Sequence, residues 1–325
     1  MDTQTLATDA ATSRATAHRR WYFHPFNRVL SWQLILGVTP KLPRFILVPL
    51  HHVTSFLFFA CVRKERRNAR RNLERITGKK GLANLRLTYR LFYNFSRFMV
   101  AYTEIGTRAA ADVLQRTDTQ GSESVIRDLM VEGNGLIIVS AHLGHWDLGL
   151  KLLQIFDRPV HVVMLDDSPA AVRRFAEEAR DNPSLRVHEV GSPMLAVELM
   201  LALKRGEVVT IQTDRPVGQN VMSMPLFGAP AQLPTGPAEL AIATGAPLLP
   251  VFIVFGRGQR YRVVAMPVMR FARSDAGNPE THLRSAMSRM VAMLESVIAR
   301  YPDQWFNFYD VWAPPHGAEE ASSDA

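Results

Sequence analysis

From about residue 122 onward the chain alternates two kinds of segment. Short β-rich runs stand at 136–141 (LIIVSA), 160–165 (VHVVML), 186–190 (RVHEV), 208–213 (VVTIQT), 247–255 (PLLPVFIVF) and 261–266 (YRVVAM). Segments of helical pattern lie between or after them. These are 147–156; 169–181, opened by Ser168 as cap with Pro169 in the first turn; 193–205; 236–244, closed by Gly245; and a long helix over 279–300. Such alternation predicts an α/β fold, a mixed sheet with helices on both faces. With 325 residues, 47% of them hydrophobic, the chain can bury a core of that size.

The segments before this region are different. Phe45 to Val62 (FILVPLHHVTSFLFFACV) is the longest apolar stretch, interrupted by Pro49, His51, His52, Thr54 and Ser55. Its length reaches the lower limit for crossing a bilayer. RKERRNARR follows at once, six basic residues with one acid over 63–71. Residues 1–100 hold 18 Lys and Arg against 4 Asp and Glu, while the rest holds 20 against 26. The excess positive charge therefore sits beside the apolar segment. That pairing predicts a helical region over 41–120 that dips into or crosses a membrane, with its basic helix at anionic headgroups. Nucleic acid is the less suitable partner, because the single-strand readers interleave basic and aromatic positions on a sheet. The aromatic residues of 85–105 read as core. The first twenty residues and the closing PHGAEEASSDA are polar and read as tails, giving a layout of 1–40, 41–120, 121–315 and 316–325, with 41–120 and 121–315 forming one domain. The single cysteine, Cys61, excludes a disulfide framework and a cysteine metal site.

Chemistry concentrates in SAHLGHWDLG, 140–149. His142 follows a strand, where functional groups of open α/β sheets gather. Asp147 comes five residues later. On one helix, five positions turn about 500°, which would part the two side chains. They meet if His142 lies on a turn and Asp147 in the first turn of the next helix, with Gly144 giving the turn its freedom. The carboxylate then fixes the imidazole tautomer and leaves the other ring nitrogen as a general base. No G-x-S-x-G elbow is present, and Ser140 lies inside the strand. The nucleophile would then be a substrate hydroxyl attacking an activated acyl group. Two other readings stay open at this point: a capping pair at a helix start, and a metal site of His142, His145 and Asp147, which would make the chain a metal-dependent hydrolase.

SAHLGHWDLG resembles the H-x-x-x-x-D/E motif of the lysophospholipid acyltransferase superfamily, and is most similar to the branch of Kdo-lipid A lauroyl and myristoyl acyltransferases. Further blocks resemble that branch in order: RNARRNLERITG (67–78), TDRPVG (213–218), PLFGAPAQLPTGPAELAIATGAPLLPVF (225–252) and YPDQWFNFYDVW (301–312). Asp147 stands where the branch more often has Glu, and His145 where Asn is common. The resemblance implies a glycerolipid acyltransferase-like fold with an N-terminal membrane-associated segment. It implies transfer of a fatty acyl group from acyl carrier protein or coenzyme A to a hydroxyl of a lipid A-type glycolipid or lysolipid. It also implies no metal or organic cofactor, and a place on the cytoplasmic face of a bacterial inner membrane, peripheral or single-span. His142 and Asp147 would be catalytic. Arg173, Arg174 and Arg215 are candidates for phosphate or carrier contacts. Asp214 would orient Arg215, and Gly236 with Pro237 would shape a helix start near substrate. A non-enzymatic basic membrane-binding module is the remaining alternative.

Overall fold

The computed structural model describes residues 44–105, 110–153, 156, 158–164, 184–216, 220–256, 260–271 and 278–313. The expected helix 169–181, Arg173, Arg174 and both tails lie outside the described residues.

Among the described residues three helices come first: α1 (Arg44–Cys61), α2 (Arg63–Thr77) and α3 (Gly81–Ile105). Helix α2 ends on Gly78, whose φ of 67° lets its N–H reach back to the Glu74 carbonyl. After α4 (Ala110–Gln115) and the two-residue strand β1 (Thr117–Asp118), the expected alternation begins. In chain order it runs α5 (Ser122–Val131), β2 (Leu136–Ser140), α6 (Trp146–Leu153), β3 (Val160–Met164), β4 (Leu185–Glu189), α7 (Leu195–Lys204) and β5 (Val208–Gln212). A hairpin follows, β6 (Val221–Leu226) and β7 (Ala229–Pro234), then α8 (Gly236–Thr244), β8 (Leu248–Phe255), β9 (Tyr261–Ala265) and α9 (Pro279–Arg300). Asn278 caps α9 by accepting from the Glu280 N–H, with Pro279 in the first turn. A short 3-10 turn, Pro302–Gln304, leads into the closing segment, 305–313.

The main sheet has the order β1-β9-β8-β2-β5-β3-β4. It is parallel except where β9 runs against β8. Strand β2 is central and its apolar run is buried on both faces, as the unbroken LIIV requires. Alternate residues serve opposite layers. Ile137, Val139 and Val209 join the large core with α7, α8, α9 and the hairpin. Leu136, Ile138 and Val208 face Ile126 and Leu129 of α5 and Leu153 of α6. A separate aromatic core ties α1, α2 and α3 to Phe255, Phe306 and Phe308.

Two features were not expected: β1, and the β6–β7 hairpin. The hairpin turns on Phe227 and Gly228, with φ of 47° and 74°, a two-residue turn of the primed kind. Helix α1 corresponds to the apolar stretch. Among the described residues no helix is long and apolar enough to cross a membrane. The single-span expectation finds no support in α1, whose run is broken by Pro49 and by polar side chains.

Candidate active site

Strands β2 and β5 are parallel neighbours, and Ser140 pairs with Gln212. Two residues beyond each lie His142 and Asp214, so the register sets them side by side past the carboxyl edge of the sheet. Thr213 N–H still reaches the Ser140 carbonyl at 2.9 Å. Beyond it, His142 Nδ1 lies 2.8 Å from Asp214 Oδ1, and the His142 backbone N–H points at both carboxylate oxygens at 3.1 Å.

The spacing in SAHLGHWDLG points to Asp147 for this role. The carboxylate on Nδ1 is Asp214, 72 positions away, and Asp147 occupies the first turn of α6. Gly144 does make the turn, for two reasons. Its φ is 66°, and a Cβ there would lie 2.1 Å from the Ile253 carbonyl oxygen. That close approach lets His145 N–H reach Ile253 O at 2.6 Å, which pins the loop to β8.

The segment after α9 closes over this loop like a strap. Phe306 N–H donates to His142 O at 2.8 Å, and Gly144 N–H donates to Gln304 O at 2.8 Å. The Gln304 side chain holds both backbone groups of Phe255. Trp305 Nε1–H and Asn307 Nδ2–H donate to Asp214 Oδ2 at 2.8 and 3.0 Å. Asp214 is 1% exposed and is surrounded by donors. Burial alone would raise its pKa. The charge and hydrogen bond of His142, the charge of Arg215 and the Trp305 indole outweigh that, and the carboxyl is held far below its ordinary range.

Arg215 is brought to the site, but two of its groups are spent on the strap. Nε donates to Asn307 Oδ1 at 2.8 Å and Nη2 to Phe306 O at 3.0 Å. Its charge lies close enough to act on His142. Burial first, then Arg215, lower the His142 pKa below 6.5, against the opposing pull of Asp214. The imidazole is thereby kept neutral at neutral pH, with Nδ1–H toward Asp214. Nε2 makes no hydrogen bond among the described residues and carries the lone pair of a base.

Aromatic rings set the walls. Trp146 meets the His142 ring edge-on at 5.2 Å between centroids and stacks on Phe98 at 4.3 Å. His145 is fully buried, among Phe98, Phe255 and Tyr261. Among the described residues no group of three or more His, Cys, Asp or Glu is placed to hold a metal ion. An apolar cavity of about 60 Å³ runs beneath α6, lined by Ile126, Ile138, Ser140, Trp146, Val251 and Val263 among others. Gly236 and Pro237 open α8 as expected, and a Cβ on Gly236 would meet nothing within 4 Å among the described residues.

The site is a histidine–carboxylate pair at the carboxyl edge of a mostly parallel α/β sheet, with the second ring nitrogen open among the described residues. The chain belongs to the bacterial lipid A biosynthesis acyltransferase family, which it matches over residues 18–313. It is similar to the phosphatidylinositol mannoside acyltransferase of Mycobacterium tuberculosis, strain CDC 1551 / Oshkosh, with 26% identity over 188 residues, 56% of this chain and 56% of that protein. It is similar also to the protein of the same name from Mycolicibacterium smegmatis, with 26% identity over 183 residues, 55% of this chain and 57% of that one. The chain thus spans little more than half the length of these curated relatives.

Proposed function

We propose that the protein transfers a fatty acyl group from a thioester donor, acyl carrier protein or coenzyme A, to a sugar hydroxyl of a glycolipid. The observation that carries this reading is His142, held through Nδ1 by Asp214 with Nε2 open. Nε2 takes the proton of the acceptor hydroxyl as its oxygen attacks the thioester carbonyl. The C–S bond then breaks, and the imidazolium returns its proton to the leaving thiolate. No acyl-enzyme is formed. The glycolipid acceptor is favoured because family and relatives alike are named for glycolipid acylation.

Asp147, the carboxylate of the H-x-x-x-x-D motif, stays in the proposal. Because Asp214 occupies Nδ1, we give Asp147 a role beside the acceptor. The cavity beneath α6 shares Trp146 with the His142 site and is where the acyl chain would begin. The membrane reading is carried by two adjoining surfaces. Helix α1 exposes Ile46, Val53, Phe56 and Leu57. Helix α2 exposes Arg63, Lys64, Arg67, Arg70, Arg71 and Arg75. Exposed apolar residues on one helix and exposed basic residues on the next are features suited to an anionic interface.

Lipid mass spectrometry of cells with and without the gene tests the proposal. Loss of the gene is expected to leave a glycolipid lighter by one acyl chain, restored by the wild-type gene and not by His142→Ala. An unchanged lipid profile, or an acyl adduct on the protein itself, contradicts it.

A further inference from the structure

The basic helix α2 and the site are joined by a chain of contacts that the proposed reaction does not use. Asn72, in the RNARRNL block, points inward from α2 and is 2% exposed. Its Nδ2 group donates to the Asn307 carbonyl at 3.0 Å and to the Tyr309 carbonyl at 2.8 Å. Asn68, one turn earlier, donates to the Phe308 carbonyl between them at 3.3 Å. Three successive carbonyls of the strap are thus fixed by one helix. Asn307, at the head of that trio, is 1% exposed and has its own side chain engaged at both ends. Its Nδ2 donates to Asp214 and its Oδ1 accepts from Arg215.

We infer that Asn72 is a positioning residue for the His142–Asp214 pair, acting through the backbone of Asn307. Asn72 holds residue 307 in place. Residue 307 then supplies one donor to Asp214 Oδ2 and anchors the Arg215 guanidinium beside the pair. The buried Asn72 Oδ1 has no hydrogen-bond partner among the described residues. Leaving a buried acceptor unmade is costly, so this amide is oriented for its two donated bonds alone. The two blocks around residue 72 and around residue 307, each of which resembles the acyltransferase branch, then serve one structural purpose: they fix the carboxylate that fixes the base.

The charges that act on His142 are those of Asp214 and Arg215, from the end of β5; Tyr309 of the strap feels the same two charges, and Asp147 lies five residues on, in the first turn of α6. Releasing residue 307 acts on two of them in the same direction. Asp214 loses a donor, so its charge is felt more strongly by His142. Arg215 loses its anchor, so its opposing charge recedes. Both changes favour the imidazolium.

The consequence for catalysis rests on His142 being the base, but the test needs no substrate. In the full chain with labelled histidine, the His142 titration is followed by NMR and assigned with His142→Gln. Asn72→Leu, close in volume and without donors, is expected to raise the His142 midpoint by about half to one unit, the span of a weakened charge contact. Asn307→Ala is expected to reproduce the shift, and the two together to exceed neither. Asn84→Ala is the control. Asn84 is equally buried and donates to Arg70 O at 2.9 Å, away from the strap. Its loss is expected to lower the melting temperature and leave the midpoint in place. If Asn72→Leu does not fold, Asn72→Ser, which keeps one donor, is expected to give a smaller shift of the same sign. An unmoved His142 midpoint in whichever of these Asn72 variants folds, with only the melting temperature lowered, overturns the inference and leaves Asn72 a structural tie.

Discussion

Strand β5 carries a carboxylate at each end, and each meets a histidine. Asp214 follows the strand and bonds His142; Glu207 precedes it and bonds His161, whose Nε2 lies 2.8 Å from Glu207 Oε2. Both histidines have pKa values lowered chiefly by burial, and both carboxyls are held down. They differ in the second nitrogen. That of His142 is open among the described residues. The Nδ1 of His161 lies 2.8 Å from His188 Nε2, and His188 Nδ1 lies 3.0 Å from Glu198. Both ring nitrogens of His161 are therefore committed, one to Glu207 and one to His188. Arg205 adds two bonds to Glu207, and with that of His161 these bring its pKa down to about 2. One pair is left with a lone pair facing the site; the other has none to give. A buried histidine–carboxylate contact alone therefore says little about catalysis. Its place at the carboxyl edge of the sheet and its uncommitted nitrogen are what set His142 apart in the proposed function.

The largest expected contrast comes from truncating each histidine. His142→Ala should lower turnover by about 10²–10⁴ with folding intact, as loss of a general base does. His161→Ala should leave turnover per folded molecule near wild type. It should instead destabilise the protein by about 1–3 kcal/mol, because Glu207 and His188 lose their shared partner. Acyl-transfer rates and denaturant melts on the same preparations measure both. Equal loss of turnover in the two variants would break the comparison.

Gly144→Ala comes next. The new Cβ meets the Ile253 carbonyl oxygen at 2.1 Å in a left-handed conformation, so the loop bearing His142 must move. The conformational penalty alone is about 1–2 kcal/mol. Melts should show at least that loss, with reduced turnover in the fraction that folds. Gly78→Ala, at a similar φ but with nothing within 4 Å, should show the conformational penalty only.

The smallest effect is a pH dependence. The Glu207 pKa lies at about 2 in the fold against an ordinary 4.5, so its contribution to stability is present above pH 4.5 and is lost as pH falls toward 2. The difference in melting temperature between wild type and Glu207→Gln should therefore be largest near neutrality and shrink below pH 4.5. For turnover, the base must be neutral. The acid limb should lie below pH 6.5, because burial and Arg215 lower the His142 pKa.

Much of the architecture was legible because it rests on local patterns. The six β-rich runs became strands with ends shifted by a residue or so, and 279–300 became α9, since buried apolar runs and caps are written in adjacent residues. The hairpin was not read as one, for Pro225, Pro230 and Pro234 interrupt any strand pattern and Phe227 is an unusual residue for a positive φ. His142 was legible from its place after a strand. Its partner was not, because the spacing to Asp147 is local and the contact with Asp214 depends on which strands are neighbours. A signal did exist: SAH and QTD both leave a strand with the chemical residue at the same offset. It could be used only by assuming that β2 and β5 pair. The part played by 305–309 was hidden for the same reason, since Trp305 and Asn307 reach Asp214 from 91 and 93 positions away.

The most direct test of the account is a double-mutant cycle on acyl transfer with His142→Ala, Asp214→Asn and the two combined, each checked for folding. If Asp214 works only by holding and polarising His142, Asp214→Asn should lose much of the activity, and the double variant should be hardly slower than His142→Ala alone. Asp147→Ala in the same assay places the motif carboxylate on one side or the other of that unit. Losses from His142→Ala and Asp214→Asn that multiply, or an Asp214→Asn variant with near wild-type rates, would contradict the pairing as the centre of the chemistry.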